Sequence, residues 1–205
     1  MAGGLDPSVL REPLGMTCNS DPYGNPICGA LTMAGREYEA IAGAQPAGAT
    51  ADPSLIQKLV LQGNMVRPSL GDDDGQFPGS AGSGQIVGPL PDTAEKRLAL
   101  AVIHNAMLTV ECANTLGLNI TWILDGTHLR DTAYAAIVSS IRAITSPNAK
   151  TLVNENADGI ARGATALCHP ATVEPPILRE ASKLNDFKGL KKYIEDWQTL
   201  VQDNF

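Results

Sequence analysis

The sequence lacks both a long hydrophobic run and a secretory signal. No stretch approaches the roughly 18 apolar residues that a membrane-spanning helix needs. Residues 1–6 contain neither the basic region nor the apolar region of a signal peptide. We therefore expect a protein without a membrane partner that is not classically secreted. Its expected location is the cytoplasm or a particle assembled inside the cell.

Charged residues are also scarce, at 18% of the chain, where a typical soluble domain has about a quarter. The net charge is −7, and residues 1–91 hold four basic and nine acidic side chains. A protein that neutralises nucleic-acid phosphates carries a basic patch or stripe, and the linear sequence has none. Nucleic acid stays open as a partner but is not indicated by charge. The neutral surface favours contacts with other protein subunits, because few charges would need desolvation.

The sequence has few potential metal ligands, with four cysteines and three histidines. Without a secretory signal, Cys18, Cys28, Cys112 and Cys168 are most simply reduced thiols. Nine residues separate Cys18 from Cys28, whereas a zinc knuckle has about two to four. We predict no metal and no cofactor. A zinc site assembled from Cys18, Cys28, Cys168 and His169 stays open as a weaker alternative.

Glycine and proline divide the chain into three segments. Residues 1–63 predict an N-terminal arm or lobe of short helices, one of which begins at Asp52-Pro53-Ser54 and ends at Gly63. Residues 64–91, rich in glycine and proline, predict a linker or loop with too few apolar side chains to order itself. Contacts with the protein's own core or with neighbouring subunits would have to order it. Residues 92–205 predict a helical body.

Two long helices form the predicted helical body. Residues 96–116 follow a capping-box spacing at Asp92 and end at Gly117, with apolar side chains at steps of three and four. A second helix runs from about Thr127 or Leu129 to Thr145 and ends before Pro147. Residues 118–124 alternate as a strand would, but no comparable partner strand is visible, and residues 148–170 read as short helices. The predicted fold class is mainly α, a helical bundle-like C-terminal body behind an irregular Gly/Pro-rich N-terminal arm or lobe.

The last helix carries an apolar seam at heptad a and d spacing. Its members lie at offsets of 0, 3, 7, 10 and 14, and are Phe187, Leu190, Ile194, Trp197 and Val201. Two heptads are too few for an autonomous coiled coil. The seam therefore packs on the chain's own core or docks on another subunit, and in the second case these five residues bind the partner.

Potential catalytic residues cluster at one place. Asp125-Gly126-Thr127-His128 and Asp131 bring carboxylates near an imidazole, which could orient a general base. Alternatively, these residues form the N-terminus of a helix, where Asp125 or Thr127 is the cap and Asp131 favours the helix dipole. Glycines 79, 82 and 84 resemble a phosphate-binding loop, but Gln85-Ile86 stands where lysine and a hydroxyl residue are required. We assign no catalytic residue.

These observations favour a structural or assembly subunit without catalysis. The predicted assembly is a shell, a filament or a virion-like particle, with the chain as a capsid-type subunit whose partners are other protein subunits, including copies of itself. The alternative is a small enzyme or ligand-binding domain. Its site would use Asp125, His128 and Asp131, or Cys168 and His169.

Overall fold

A computed structural model describes residues 2–3, 6–117, 121–169 and 174–202. Within these ranges the chain is an α/β protein with six α-helices and three small sheets. The predicted mainly α, bundle-like fold class is therefore wrong. The helices are α1 (Ala34–Ala42), α2 (Pro53–Leu61), α3 (Ala94–Thr115), α4 (Thr132–Thr145), α5 (Gly159–Cys168) and α6 (Leu190–Gln202). Among the residues described, no helix is both long and apolar enough to cross a membrane.

The sheets consist of strands of two to five residues. The strands are β1 (Ala2–Gly3), β2 (Met16–Ser20), β3 (Pro26–Ala30), β4 (Met65–Arg67), β5 (Gln85–Val87), β6 (Trp122–Leu124), β7 (Thr151–Asn154) and β8 (Leu178–Glu180). The first sheet has the order β1-β3-β2, and β4 and β5 form an antiparallel pair. In the third sheet β6 pairs with β7 in parallel, and β8 pairs with β7 antiparallel.

The parallel pair explains why the fold class was missed. Trp122 of β6 lies opposite Thr151 of β7, and helix α4 connects the two strands. Strand β7 falls in residues 148–170, which the sequence predicted as short helices. Three or four residues are too few for an alternating pattern to stand out, so only the tertiary pairing reveals the strand.

Helix α3 is the centre of the fold. The Thr93 side chain accepts a hydrogen bond from the Lys96 backbone N–H at 3.3 Å, so the helix begins one residue later than the Asp92 cap predicts. Most of the predicted apolar stripe is buried, with Thr109 and Ala113 half-buried, and every residue from Leu98 to Leu108 is buried. A helix buried on all sides is a core helix. Helices α1, α2 and α4 pack around it.

One hydrophobic core joins the three predicted segments. It contains Ile41 from residues 1–63, Val66 from residues 64–91 and Ile137 from residues 92–205. Residues 64–91 are therefore packed on the core of the same chain. The Phe77 ring contacts the Trp197 ring edge-on, with 6.2 Å between the ring centroids.

Local hydrogen bonds also stabilise the conformation of residues 64–91. The Asp74 carboxylate accepts hydrogen bonds from the backbone N–H groups of Gly79 and Ala81, at 2.8 and 2.7 Å. These backbone hydrogen bonds lower the pKa of Asp74. The hydroxyls of Ser69 and Ser80 are buried and lie 2.8 Å apart. Hydrogen bonding thus supplies part of the order that the few apolar side chains cannot.

The seam on α6 faces the interior of the chain. Leu190, Ile194, Trp197 and Val201 are buried in the core, and Phe187 packs against it half-buried. Helix α6 contacts α2, β4 and α4. This is the arrangement in which the seam packs on the chain's own core. Contact of these five residues with another subunit stays a prediction.

Candidate functional site

A cavity of about 390 Å³ opens between α1, residues 43–51 and the start of α4. Buried side chains form the floor of the cavity. They are Val102 and Asn105 of α3, Tyr134 of α4, and Asp131, which caps α4. Exposed residues, including Gly35, Glu39, Thr127 and Arg130, form its rim. A pocket of this size, with an apolar wall and a few polar groups, is typical of small-molecule sites.

Asp131 links two walls of this cavity. Its Oδ1 accepts a hydrogen bond from the Ala133 N–H at 2.9 Å, which caps the N-terminus of α4. Its Oδ2 accepts a hydrogen bond from the Ala51 N–H at 2.8 Å, which fixes the loop before α2. The cap of α4 is therefore Asp131, and not Asp125 or Thr127 as the sequence predicted. Both carboxylate oxygens of Asp131 are engaged by backbone N–H groups.

His128 belongs to an aromatic wall. It lies in a 3-10 turn, Thr127–Arg130, that follows Gly126 at a φ of 102°, a value that favours glycine. The half-buried imidazole lies 5.9 Å from the Tyr38 ring and 5.4 Å from the Tyr134 ring, measured between centroids. The Tyr134 hydroxyl and the Thr109 hydroxyl are 2.8 Å apart. Burial lowers the pKa of His128 and raises the pKa of Tyr134.

The lowered pKa of His128 predicts an acid-dependent loss of stability. The unfolded chain takes up a proton as the pH falls through 6.5, the ordinary value, while the folded imidazole remains neutral to a lower pH. The free energy of unfolding therefore decreases as the pH falls below about 6.5. Since the imidazole is only half-buried, we expect His128 to contribute less than about 1 kcal/mol to this decrease.

Urea unfolding at pH 7 and pH 5 measures this contribution. His128→Phe keeps the aromatic contacts without a titrating group, so the difference in stability between the two pH values should be smaller than in the wild type. His169→Gln, at an exposed position, is the control. An unchanged pH difference in His128→Phe would contradict the prediction.

Asp125 does not join His128 and Asp131 in the larger cavity. It lines a second cavity, of about 300 Å³, together with Asn154 and Arg162. Its Oδ1 accepts hydrogen bonds from the Gly126 N–H at 2.9 Å and from the Asn154 side-chain amide at 3.3 Å. The structure therefore divides the predicted group of Asp125, His128 and Asp131 between two places.

The other predicted site residues lie apart from both cavities. Cys168 ends α5 and is exposed, and His169 caps that helix, donating its backbone N–H to the Thr165 carbonyl at 2.7 Å. Cys18 and Cys28 face each other across β2 and β3. Among the residues described, no group of three or more potential ligands is arranged to hold a metal ion.

Sequence reasoning missed Asn105, on the cavity floor. It is 1% exposed, and within the described part of the chain neither its amide nitrogen nor its amide oxygen has a hydrogen-bond partner. The signal in the sequence was an asparagine, a poor helix former, inside the apolar run of the long helix. Tyr38 and Gln45 were missed as well, because they reach the cavity only through the packing of α1 on α3.

A second buried polar group connects α1 to α3. The Glu37 carboxylate lies 3.2 Å from His104 Nε2 and accepts a hydrogen bond from the Leu70 N–H at 2.7 Å. Both side chains are almost completely buried. Because Leu70 lies in residues 64–91, this group fastens that segment to the helices.

Comparison with protein families identifies the kind of domain that carries these cavities. The model of the family "Carbohydrate kinase FGGY, C-terminal domain" matches residues 1–175. The chain belongs to this family. The match covers most of the 205 residues, including the whole lining of the larger cavity and every described strand except β8. No curated protein matches the chain.

The kinase domain also resembles a solved structure. A carbohydrate kinase from Novosphingobium aromaticivorans has a similar fold, with a TM-score of 0.75 and 21% sequence identity. The alignment covers 98% of this chain and 42% of that kinase. At this identity the likeness demonstrates the fold. The chain spans less than half of the length of the matched protein.

Family membership overturns the functional interpretation drawn from the sequence. The chain is a carbohydrate kinase C-terminal domain, so its assignment as a shell, filament, virion or capsid subunit without catalysis is wrong. The sequence prediction relied on the neutral surface and on the absence of a catalytic motif. A chain that covers only 42% of the matched kinase need not contain all of the catalytic residues, so the absence of a motif does not argue against an enzyme. The alternative, an enzyme or ligand-binding domain, agrees better with the family.

Proposed function

We propose that this chain forms the C-terminal part of an enzyme that transfers a phosphoryl group from a nucleoside triphosphate to a carbohydrate hydroxyl. The family match over residues 1–175 carries this proposal. The carbohydrate kinase with the same fold supports it. Because the chain spans 42% of that kinase, the complete reaction would need a second domain.

The larger cavity is the part of the proposed active site that this chain contributes. Phosphoryl transfer depends mainly on the positioning of substrates and on electrostatic stabilisation, so a kinase domain can act without a nucleophile of its own. The cavity offers an aromatic wall, a buried polar floor and an exposed cation, Arg130, at its rim. A guanidinium pairs well with phosphate oxygens. We assign Arg130 to the phosphates and the buried part of the cavity to the remainder of the donor.

Turnover tests the proposed reaction. The protein that contains this chain together with its second domain is incubated with ATP and a panel of pentoses, hexoses and polyols. Formation of ADP that depends on one of these sugars is the expected result. ADP formation that no sugar stimulates would refute the proposal.

Arg130 provides the link between the activity and the cavity. We expect Arg130→Ala to raise the KM for ATP about tenfold, because the variant loses a charge-assisted contact of roughly 1.4 kcal/mol. Arg179→Ala, which removes an exposed arginine paired with Glu155 outside this cavity, should leave KM unchanged. Equal KM values in Arg130→Ala and the wild type would remove Arg130 from the donor site.

A further inference from the structure

Two cysteines lie directly opposite each other in the first sheet. They are Cys18 of β2 and Cys28 of β3. Cys18 is exposed, whereas Cys28 is completely buried. Burial raises the pKa of Cys28, and the Cys18 side chain, with which it shares a hydrogen bond, raises it further. The two sulfur atoms are therefore within hydrogen-bonding distance of each other, one open to solvent and the other shielded from it.

The register of the hairpin places this pair where a disulfide can form. The Leu31 N–H donates to the Gly15 carbonyl, and the Asp21 N–H donates to the Asn25 carbonyl, each at 2.9 Å. Because hydrogen-bonded and non-hydrogen-bonded pairs alternate along an antiparallel ladder, the two cysteines form a non-hydrogen-bonded pair. The Cα atoms of such a pair are about 4.5 Å apart, which falls within the roughly 4.4–6.8 Å that a disulfide spans. The sulfur atoms can therefore be joined with little movement of the strands.

A third cysteine contacts the same hairpin in a different way. The Cys112 thiol donates a hydrogen bond to the Ala30 carbonyl at 3.2 Å. Burial raises the pKa of Cys112 to about 11. Since the thiolate is the nucleophile in disulfide exchange, Cys112 reacts slowly near neutral pH. Of the three cysteines near this hairpin, the exposed Cys18 is thus the one that meets a dissolved reagent first.

We propose that Cys18 and Cys28 form a reversible cross-strand disulfide, in which Cys18 reacts first with a small disulfide such as glutathione disulfide and Cys28 then completes the bond. The inference does not depend on the proposed function. In a reducing compartment both residues remain thiols, and the bond forms when the small disulfide accumulates.

The reaction consumes two protein thiols and one small disulfide. The Cys18 thiolate attacks one sulfur of glutathione disulfide, which forms a Cys18–glutathione bond and releases a glutathione that takes up the proton lost by Cys18. The Cys28 sulfur then attacks the Cys18 sulfur and displaces the second glutathione, which receives the Cys28 proton. The protein thiols are oxidised, and glutathione disulfide is reduced to two molecules of glutathione. The nearness of the two sulfur atoms offsets the raised pKa of Cys28 in the second step.

Incubation of the 205-residue chain with glutathione disulfide, followed by peptide mapping with mass spectrometry, tests this reaction. We expect a Cys18–Cys28 crosslink that lacks two hydrogen atoms and that dithiothreitol removes. The ratio of this crosslink to the Cys18–glutathione adduct should be at least about tenfold higher in the folded chain than in urea, because folding raises the effective concentration of one sulfur at the other.

Single substitutions separate the roles of the two cysteines. Cys28→Ala should leave Cys18 as a stable glutathione adduct. Cys18→Ser, at an exposed position, should leave the buried Cys28 unmodified. Cys112→Ala is the matched control and should form the crosslink as the wild type does. Circular dichroism verifies that each variant is folded.

Several results would overturn the inference. One is a glutathione adduct that accumulates on Cys18 of the wild type without the crosslink, and another is the absence of any reaction at Cys18. A crosslink from Cys18 or Cys28 to Cys112 or Cys168 would have the same consequence. So would a crosslink ratio that is no higher in the folded chain than in urea, because the pair would then owe nothing to the fold.

Discussion

Trp197→Ala is expected to lower the free energy of unfolding by about 3–5 kcal/mol, the range for removal of a large aromatic side chain from a core. The indole is 1% exposed, and its Nε1–H donates a hydrogen bond to the Val66 carbonyl at 2.9 Å. Its ring also contacts Phe77. The substitution would open a cavity and release residues 64–91 from α6 at two points.

Urea unfolding, monitored by circular dichroism, measures this loss of stability. Fluorescence is less suitable, because Trp122 also contributes to the tryptophan emission. Tyr193→Phe on the same helix is the matched control. Tyr193 is 2% exposed, and its hydroxyl has no hydrogen-bond partner within the described residues. The phenylalanine keeps the ring in place, so the stability should stay equal or rise slightly. A loss below about 1 kcal/mol for Trp197→Ala would show that α6 is not needed to hold the loop.

Glu37→Ala is the second substitution with a large expected effect, because it leaves two buried polar groups without their partner at a cost of about 1–3 kcal/mol each. The carboxylate accepts the Leu70 N–H and contacts His104 Nε2 in a site closed to solvent. Alanine would leave both groups without their acceptor. It would also detach residues 64–91 from α1.

Urea unfolding of Glu37→Ala is compared with that of Glu39→Ala, an exposed position on the same helix. The control should lose less than about 0.5 kcal/mol. Replacing both partners, as Glu37→Leu with His104→Leu, should cost less than the sum of the two single substitutions, because only the Leu70 N–H would then remain unpaired. Equal stabilities of Glu37→Ala and Glu39→Ala would contradict the prediction.

The helices were largely predictable because their signals are local. The Asp52 side chain accepts the Ser54 N–H at 2.8 Å and begins α2 where the sequence indicated. The start of α4 was placed too early, because the sequence suggested Asp125 or Thr127 as its cap and the structure has Asp131 there. A cap depends on side chains within a few residues of the backbone groups that it satisfies. Such features can be read from the sequence without knowledge of the fold.

The sheets and the candidate site were not predictable in this way. Strand β6 finds its partner in β7, and the Asp125 and His128 side chains, three positions apart, line different cavities. Asn105 lies on the cavity floor, with its amide unpaired among the described residues, only because α1 and residues 43–51 close over it. No pattern in the sequence states which buried polar atoms remain unpaired.

The amino-acid sequence alone determined the approximate positions of the long helices and the absence of any long apolar run. Tertiary structure decided that the middle of α3 is buried on all sides, that Trp197 and Glu37 order residues 64–91, and where the cavity lies. The physical reason is the distance along the sequence over which each interaction acts. Caps and helical periodicity arise within a few residues, whereas burial and the unpaired amide of Asn105 depend on groups brought together from distant parts of the chain.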